Sequence, residues 1–179
     1  MSETLRDRLR ALPSFVEPLQ QFEPLPQFDP STAPADLLEL FVDWLEDALA
    51  TSVEAPHVFT LATSDSAGAV SARVLRLKNI EAGDLHFAGS RNSRKGRDLA
   101  DNPRAAMTFY WPSRSRQVRF TGPVRELSPE ASAADWAERP STNGPVDAAW
   151  QLWALRPVDV LFFQAAEDGR DVKLRYPLS

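Results

Sequence analysis

The chain has 179 residues, 43% of them hydrophobic and 25% charged, with a net charge of -5 at neutral pH. That is one globular domain's worth of sequence, long enough to bury a core. The absence of cysteine excludes disulfides, thiolate metal sites and a cysteine nucleophile, and His57 and His86 alone cannot build a structural zinc site.

The N-terminus, MSETLRDRLRAL, lacks the apolar core of a secretory signal. No run approaches the ~18 apolar residues of a membrane span, so a cytoplasmic protein without membrane contact is expected. Residues 1–34 carry Pro13, Pro18, Pro24, Pro26, Pro30 and Pro34, which end any helix after about Leu12 and favour an extended arm. Phe15, Leu19, Phe22, Leu25 and Phe28 would lay that arm on a surface of the same subunit or of a partner. A single domain is expected over residues 35–179.

Residues 35–50 place Leu38, Phe41, Leu45 and Ala48 or Leu49 at helical spacing, with Glu39, Asp43, Glu46 and Asp47 opposite. Ser31 or Thr32 is expected to cap that helix, with Pro34 in its first turn. From His57 the period becomes that of strands. HVFTLAT and AVSARVLRLK form a predicted hairpin through Gly68, and DLHFAG, RAAMTFYW and RQVRFTGPVREL follow as further strands. Gly122-Pro123 predicts a bulge or an edge in the last of these. Ser128 caps a short helix to Ala137, PSTNGP is a loop, and WQLWALRP and VDVLFFQA close the set before a mixed tail. Sequential antiparallel strands with few helices predict a mainly β (α+β) fold: a closed or split β-barrel with short peripheral helices.

Charge is unevenly spread. Residues 1–66 hold three basic and twelve acidic side chains, residues 67–125 twelve and four, and residues 126–179 five and nine. A basic middle in an acidic chain points to a local anionic ligand rather than to a nucleic-acid surface, which usually makes a whole domain basic. Within it, GSRNSRKGRDLADNP reads as Ser93 capping two helical turns that Asn102-Pro103 end. A helix start attracts anions, so Arg94 and Lys95 in the first turn oppose the dipole unless a phosphate offsets them. Arg73 and Lys78 lie five apart, on opposite faces of an undistorted strand; for both to reach one ligand, the strand must bulge or Lys78 must lie past its end. Gln117 can both donate to and accept from the polar edge of a flat heterocycle.

Arg73-x-x-x-x-Lys78, then Ser93-Arg94-Lys95 opening a short helix ended by Asn-Pro, then Arg116-Gln117-Val118 on a later strand, resembles the pyridoxamine 5'-phosphate oxidase family. The resemblance runs clearly from about Leu37 to Arg125 and weakly over Trp150 to Tyr176. It implies a homodimeric FMN enzyme with a split-barrel fold. Arg73, Val74, Leu75, Arg76, Leu77, Lys78, Ala88, Gly89, Ser93, Arg94, Lys95 and Gln117 would then hold FMN, with Arg73, Arg94 and Lys95 at its phosphate and Gln117 at its ring. Phe163 stands where the family has Trp, and Lys173 where it has a flavin-contacting Arg. Lys78 and Arg139 would meet the substrate.

The chain departs from the family elsewhere. Ala88-Gly89 replace an aromatic-Thr pair. Of the Tyr, Arg and Ser that grip the substrate phosphate only Arg139 matches, Asp135 and Asn143 standing for the others. Gly169 and Asp171 fall where the family's R-L-H-D-R motif has Arg and His. These changes point to FMN as cofactor with another small metabolite, such as a dihydroaromatic compound, as substrate. A non-enzymatic flavin, deazaflavin or haem binder is the alternative. The expected partners are a small-molecule substrate and a second copy of the chain, with Trp150, Trp153, Phe162 and Phe163 as interface candidates, and no nucleic acid. No nucleophile or proton-shuttling histidine is required, because a flavin performs the redox chemistry itself, so no side chain is assigned a catalytic role, and no metal ligand is expected.

Overall fold

The computed structural model describes residues 5–11, 28–139, 145–165 and 170–177. Most of the expected N-terminal arm, with Phe15, Leu19, Phe22 and Leu25, lies outside those residues, as do Asn143 and Gly169. Helices α1 (Leu5–Ala11), α2 (Leu37–Ala50), α3 (Arg94–Asp101) and α4 (Pro129–Ala137) accompany nine strands: β1 (Val58–Ser64), β2 (Val70–Arg76), β3 (Asn79–Glu81), β4 (Asp84–Ser90), β5 (Arg104–Trp111), β6 (Arg116–Glu126), β7 (Trp150–Leu155), β8 (Asp159–Gln164) and β9 (Val172–Pro177). Their residues fall into two compact units, a smaller one from Met1–Pro56, Tyr110–Gln117 and Phe162–Leu174 and a larger one from His57–Phe109, Val118–Leu161 and Arg175–Ser179.

The smaller unit is built on α2, which buries Leu37, Leu40, Phe41, Trp44 and Ala48 at helical spacing. Phe41 stacks on Trp111 and Trp44 meets Phe162 edge-on, with centroids 6.2 and 5.2 Å apart. The helix is capped by Asp36, whose carboxylate accepts from Leu38 N at 2.8 Å, and not by Ser31 or Thr32. The reason is Pro34: it disfavours helical backbone at Ala33, so Ser31 and Thr32 close a separate 3-10 turn and the helix starts three residues beyond the proline, at Leu37. Asp47 holds two buried arginines, accepting from Arg114 Nε at 2.9 Å and from Arg116 Nη1 at 2.7 Å. Arg116 also donates to Gln164 and lies 4.3 Å from the Trp44 ring centroid; its burial lowers its pKa to about 10.

In the larger unit the strands run in the order β2-β1-β5-β6-β7-β4-β3, with β8 pairing β6 and β9. The β1–β2, β1–β5, β3–β4, β4–β7 and β6–β7 ladders are all antiparallel. Phe59, Leu61, Phe87, Met107, Phe109, Phe120 and Trp153 fill the core, each at most 2% exposed. The turn before β2 is the one expected, with Gly68 at φ 83° and the Asp65 carboxylate accepting from Ala67 N and Ala69 N. Two strands escape sequence reading. β3 is only three residues long and turns into β4 through Ala82 and Gly83, both at positive φ as a two-residue hairpin loop requires. β9 occupies the tail read as mixed. Gly122-Pro123 is not a strand edge, because β6 pairs with β5, β7 and β8. Gly122 is there for close approach: a Cβ would lie 1.8 Å from the Arg156 carbonyl oxygen.

Candidate functional site

Helix α3 starts where its sequence dictates. Ser93 has extended backbone, and its Oγ donates to Ser90 O at 2.6 Å while accepting from Lys95 Nζ at 3.0 Å and Gly96 N at 3.4 Å. Gly96 is needed because a Cβ would sit 2.2 Å from the Arg91 carbonyl oxygen.

Lys95 turns inward. It is 7% exposed, and its ammonium lies 5.7 Å from the centroid of the Trp153 ring. Gly89 on β4 makes that position available, since a Cβ there would fall 2.2 Å from Lys95 Nζ. Burial, reinforced by the charge of Arg73, holds the Lys95 pKa below its ordinary value. Among the described residues no carboxylate pairs with it.

Arg73, on the same side of β2 as Ser71, donates from Nη1 to Leu61 O at 3.0 Å and Thr63 Oγ1 at 2.8 Å, and from Nη2 to Ser71 Oγ. Thr63 and Ser71 face each other across the β1–β2 ladder and pass their own protons on to Asp98 Oδ2 at 2.6 and 2.8 Å. The Asp98 carboxylate is 3.7 Å from Arg73 and 3.8 Å from Arg94. Its pKa is held below the usual carboxylate value, first by the Thr63 hydrogen bond, then by that of Ser71 and the charges of Arg94 and Arg73, against the opposing effect of burial. Burial lowers the Arg73 pKa, which Asp98 opposes. Asp98 thus offsets one of the charges of Arg73 and Arg94, and with Lys95 near Arg73 the helix start keeps an excess of two positive charges.

The strand problem at Arg73 and Lys78 has a simple resolution. β2 ends at Arg76, and the chain then changes partner: Leu77 N donates to His57 O at 2.8 Å and Lys78 N to His86 O at 2.9 Å. Lys78 therefore lies past the strand, free of the alternation that governs Arg73. Its ammonium pairs with Asp135 at 2.9 Å, and Asp135 also accepts from Trp150 Nε1 at 2.9 Å. The Arg139 guanidinium lies 4.2 Å from the Trp150 ring centroid and 4.9 Å from that of Trp136. Val58, Val74, Leu75, Arg76, Lys78, Ala88, Arg139 and Trp150 line a cleft of about 270 Å³.

Of the predicted site residues, the larger unit brings Arg73, Ser93, Arg94 and Lys95 into one cluster and Lys78 and Arg139 to one cleft. Gln117, Phe163 and Lys173 belong to the smaller unit, where Lys173 Nζ lies 5.9 Å from the Phe163 ring centroid. Trp153 and Phe162 are not interface residues exposed by the protomer: they are 2% and 0% exposed, in the cores of their units. Sequence reasoning missed Asp98, Thr63 and Ser71. Asp98 sits one helical turn after Arg94, a pairing signal, but nothing local announces that Thr63 and Ser71 meet it. The pairing of Asp135 with Lys78 was equally invisible.

An antiparallel sheet with this order, and a short capped helix presenting cations between two of its strands, defines the split β-barrel class. Among solved structures the fold is shared with PhzG from Burkholderia lata 383, solved in complex with tetrahydrophenazine-1-carboxylic acid, at 21% identity and a TM-score of 0.82 over 87% of this chain and 94% of that one. It is also shared with a pyridoxamine 5'-phosphate oxidase-related, FMN binding protein from Nostoc punctiforme PCC 73102, at 18% identity and a TM-score of 0.61 over 83% and 99%. The family model described as pyridoxamine 5'-phosphate oxidase matches residues 45–164, and the chain belongs to that family. A pyridoxine/pyridoxamine 5'-phosphate oxidase of Bordetella petrii is 37% identical over 145 residues, 81% of this chain and 67% of the relative. The chain spans between one half and two thirds of the length of the first such relatives it matches.

Proposed function

We propose that this protein is an FMN-dependent oxidoreductase acting on a small metabolite, and that Arg73, Ser93, Arg94 and Lys95 hold the FMN phosphate. The supporting observation is the charge balance at the start of α3. Arg73 and Arg94 share one carboxylate, Asp98, and a third cation, Lys95, is buried without an anionic partner among the described residues. A phosphate monoester carries about -1.5 to -2 at pH 7 and would neutralise that excess, with the unpaired N–H groups of the first helical turn as further donors. Val74 to Lys78, Ala88 and Gly89 line or adjoin the neighbouring cleft and would receive the rest of the cofactor. Bound FMN would supply the redox chemistry by accepting a hydride equivalent from the substrate.

The chain's own residues would bind and orient. Arg139, beside the rings of Trp136 and Trp150, would meet a substrate anion. Lys78 would contribute less there, because Asp135 already neutralises it at 2.9 Å. That balance favours a substrate with a single negative charge over a phosphorylated one. A planar dihydroaromatic acid is such a substrate, and the complex of PhzG with a tetrahydrophenazine carboxylic acid is consistent with it. The exposed side of β2, with Val70 and Val74 at 72% and 66% exposure, is the proposed homodimer face.

The test is an absorption spectrum of purified protein, before and after adding FMN and desalting. Retained flavin bands that disappear in a folded Arg94→Ala/Lys95→Ala variant support the assignment. A wild-type protein that takes up no FMN refutes it. Efficient oxidation of pyridoxine 5'-phosphate by the loaded protein would overturn the substrate argument alone, and a monomer by light scattering would overturn the dimer.

A further inference from the structure

The Lys78–Asp135 pair also forms part of the wall of a second cavity, about 440 Å³ in volume. Leu127, Ala131, Ala134 and Leu152 give it an apolar part, and Glu81 and Glu138 line it as well. Among the described residues neither glutamate has an ion-pair partner. With Lys78 and Asp135 cancelling at 2.9 Å, the cavity carries the excess negative charge of these two carboxylates.

An independent feature marks this cavity as a ligand site. His86, on β4, lines it at 4% exposure, and its ring makes no hydrogen bond to any described residue. The nitrogens of this ring open on the cavity and are not sealed in the fold, so they are free to bond a polar group that enters it. Burial lowers its pKa, against the attraction of Glu81 and Asp84 and with the repulsion of Arg125, so the ring is neutral at pH 7 and offers one acceptor nitrogen. The cofactor reading uses none of His86, Glu81 or Glu138.

We propose that this cavity binds a small organic cation, an ammonium carried on a compact apolar body, with Glu81 and Glu138 balancing its charge, His86 accepting from it, and Leu127, Ala131 and Leu152 covering the apolar part. The ligand competes with Lys78 for Asp135. Occupancy of this cavity therefore alters the charge that Lys78 presents to the neighbouring cleft.

Benzylamine is the probe, and benzoate the control of the same shape and opposite charge. Both are titrated into the full-length protein by isothermal calorimetry at pH 7.5. The expected result is saturable binding of one benzylamine per chain and none of benzoate. A Glu81→Gln/Glu138→Gln variant, changed only at exposed positions, is expected to bind benzylamine at least fivefold more weakly while taking up FMN as wild type does. A His86→Gln variant whose circular dichroism is unchanged is expected to weaken benzylamine binding as well. Absence of saturation, equal binding of benzoate, or unchanged affinity in the double glutamine variant overturns the proposal. Because FMN uptake is read separately, failure here leaves the cofactor reading standing, and the converse also holds.

Discussion

Replacing Asp98 by Asn tests the cation cluster most directly. The carboxylate is 4% exposed, receives hydroxyl donors from Thr63 and Ser71 at 2.6 and 2.8 Å, and lies 3.7 and 3.8 Å from Arg73 and Arg94. Removing its charge turns two charge-assisted hydrogen bonds into ordinary ones, at about 1 kcal/mol each. It also removes the attraction to Arg73, whose side chain is 21% exposed, leaving a half-buried guanidinium beside Lys95. The contact with Arg94, 55% exposed, adds little. The total is about 3 kcal/mol, at the lower end of what breaking a buried ion pair costs. For a chain of this size that corresponds to a fall in Tm of roughly 6–12 °C. Thermal unfolding followed by circular dichroism measures it. Inorganic phosphate is expected to raise the variant's Tm more than the wild type's, since the variant's cluster carries one more uncompensated charge. The pH dependence has a definite sign. A carboxylate with a depressed folded pKa stabilises above its unfolded value, and that stability is lost as pH falls through the folded value. The wild type should therefore lose part of its advantage over Asp98→Asn below about pH 4. A variant that melts within about 1 °C of wild type at pH 7 would refute the charge accounting on which the cofactor assignment rests.

Three further results are expected. The Lys95 pKa is lowered, so FMN retention should weaken on alkaline titration at a lower pH than an ordinary lysine would give, and Lys95→Arg should shift that loss upward; an identical profile for both proteins counts against Lys95 as a phosphate ligand. Gly89→Ala places a Cβ 2.2 Å from Lys95 Nζ, so the ammonium must leave its place over Trp153; flavin retention after desalting should change, with a stability cost of about 1–3 kcal/mol seen in chemical denaturation. Gly122→Ala sets a Cβ 1.8 Å from a backbone oxygen that cannot turn aside, and should cost about 3 kcal/mol or more by the same measurement while leaving the cation cluster intact.

Local sequence alone determined a large part of this protein. The alternation of HVFTLAT and AVSARVLRLK, the glycine turn between them, and the Ser93 cap before Arg94 each depend on a few adjacent residues, and the strands and helix α3 lie where those residues put them. The Arg73–Lys78 spacing stated a geometrical choice that sequence could not make. The tertiary structure made it, because β2 gives up β1 for β4 at Leu77 and Lys78, and that exchange depends on His57 and His86. The helix cap moved from Ser31 or Thr32 to Asp36 because Pro34 constrains the residue before it, a short-range rule outweighed in reading by the choice of cap residue. Most of the electrostatic partners were beyond sequence altogether. Asp98 meets Thr63 and Ser71 across 35 and 27 residues, and Asp135 meets Lys78 across a longer span still, through strand pairing and helix packing that no local pattern encodes. Charge type and helix signals are local properties, whereas which carboxylate neutralises which cation depends on the register of strands distant in the chain. The same division explains His86: its sequence context is an ordinary strand, and only the packed structure leaves its ring without a partner at the wall of a cavity.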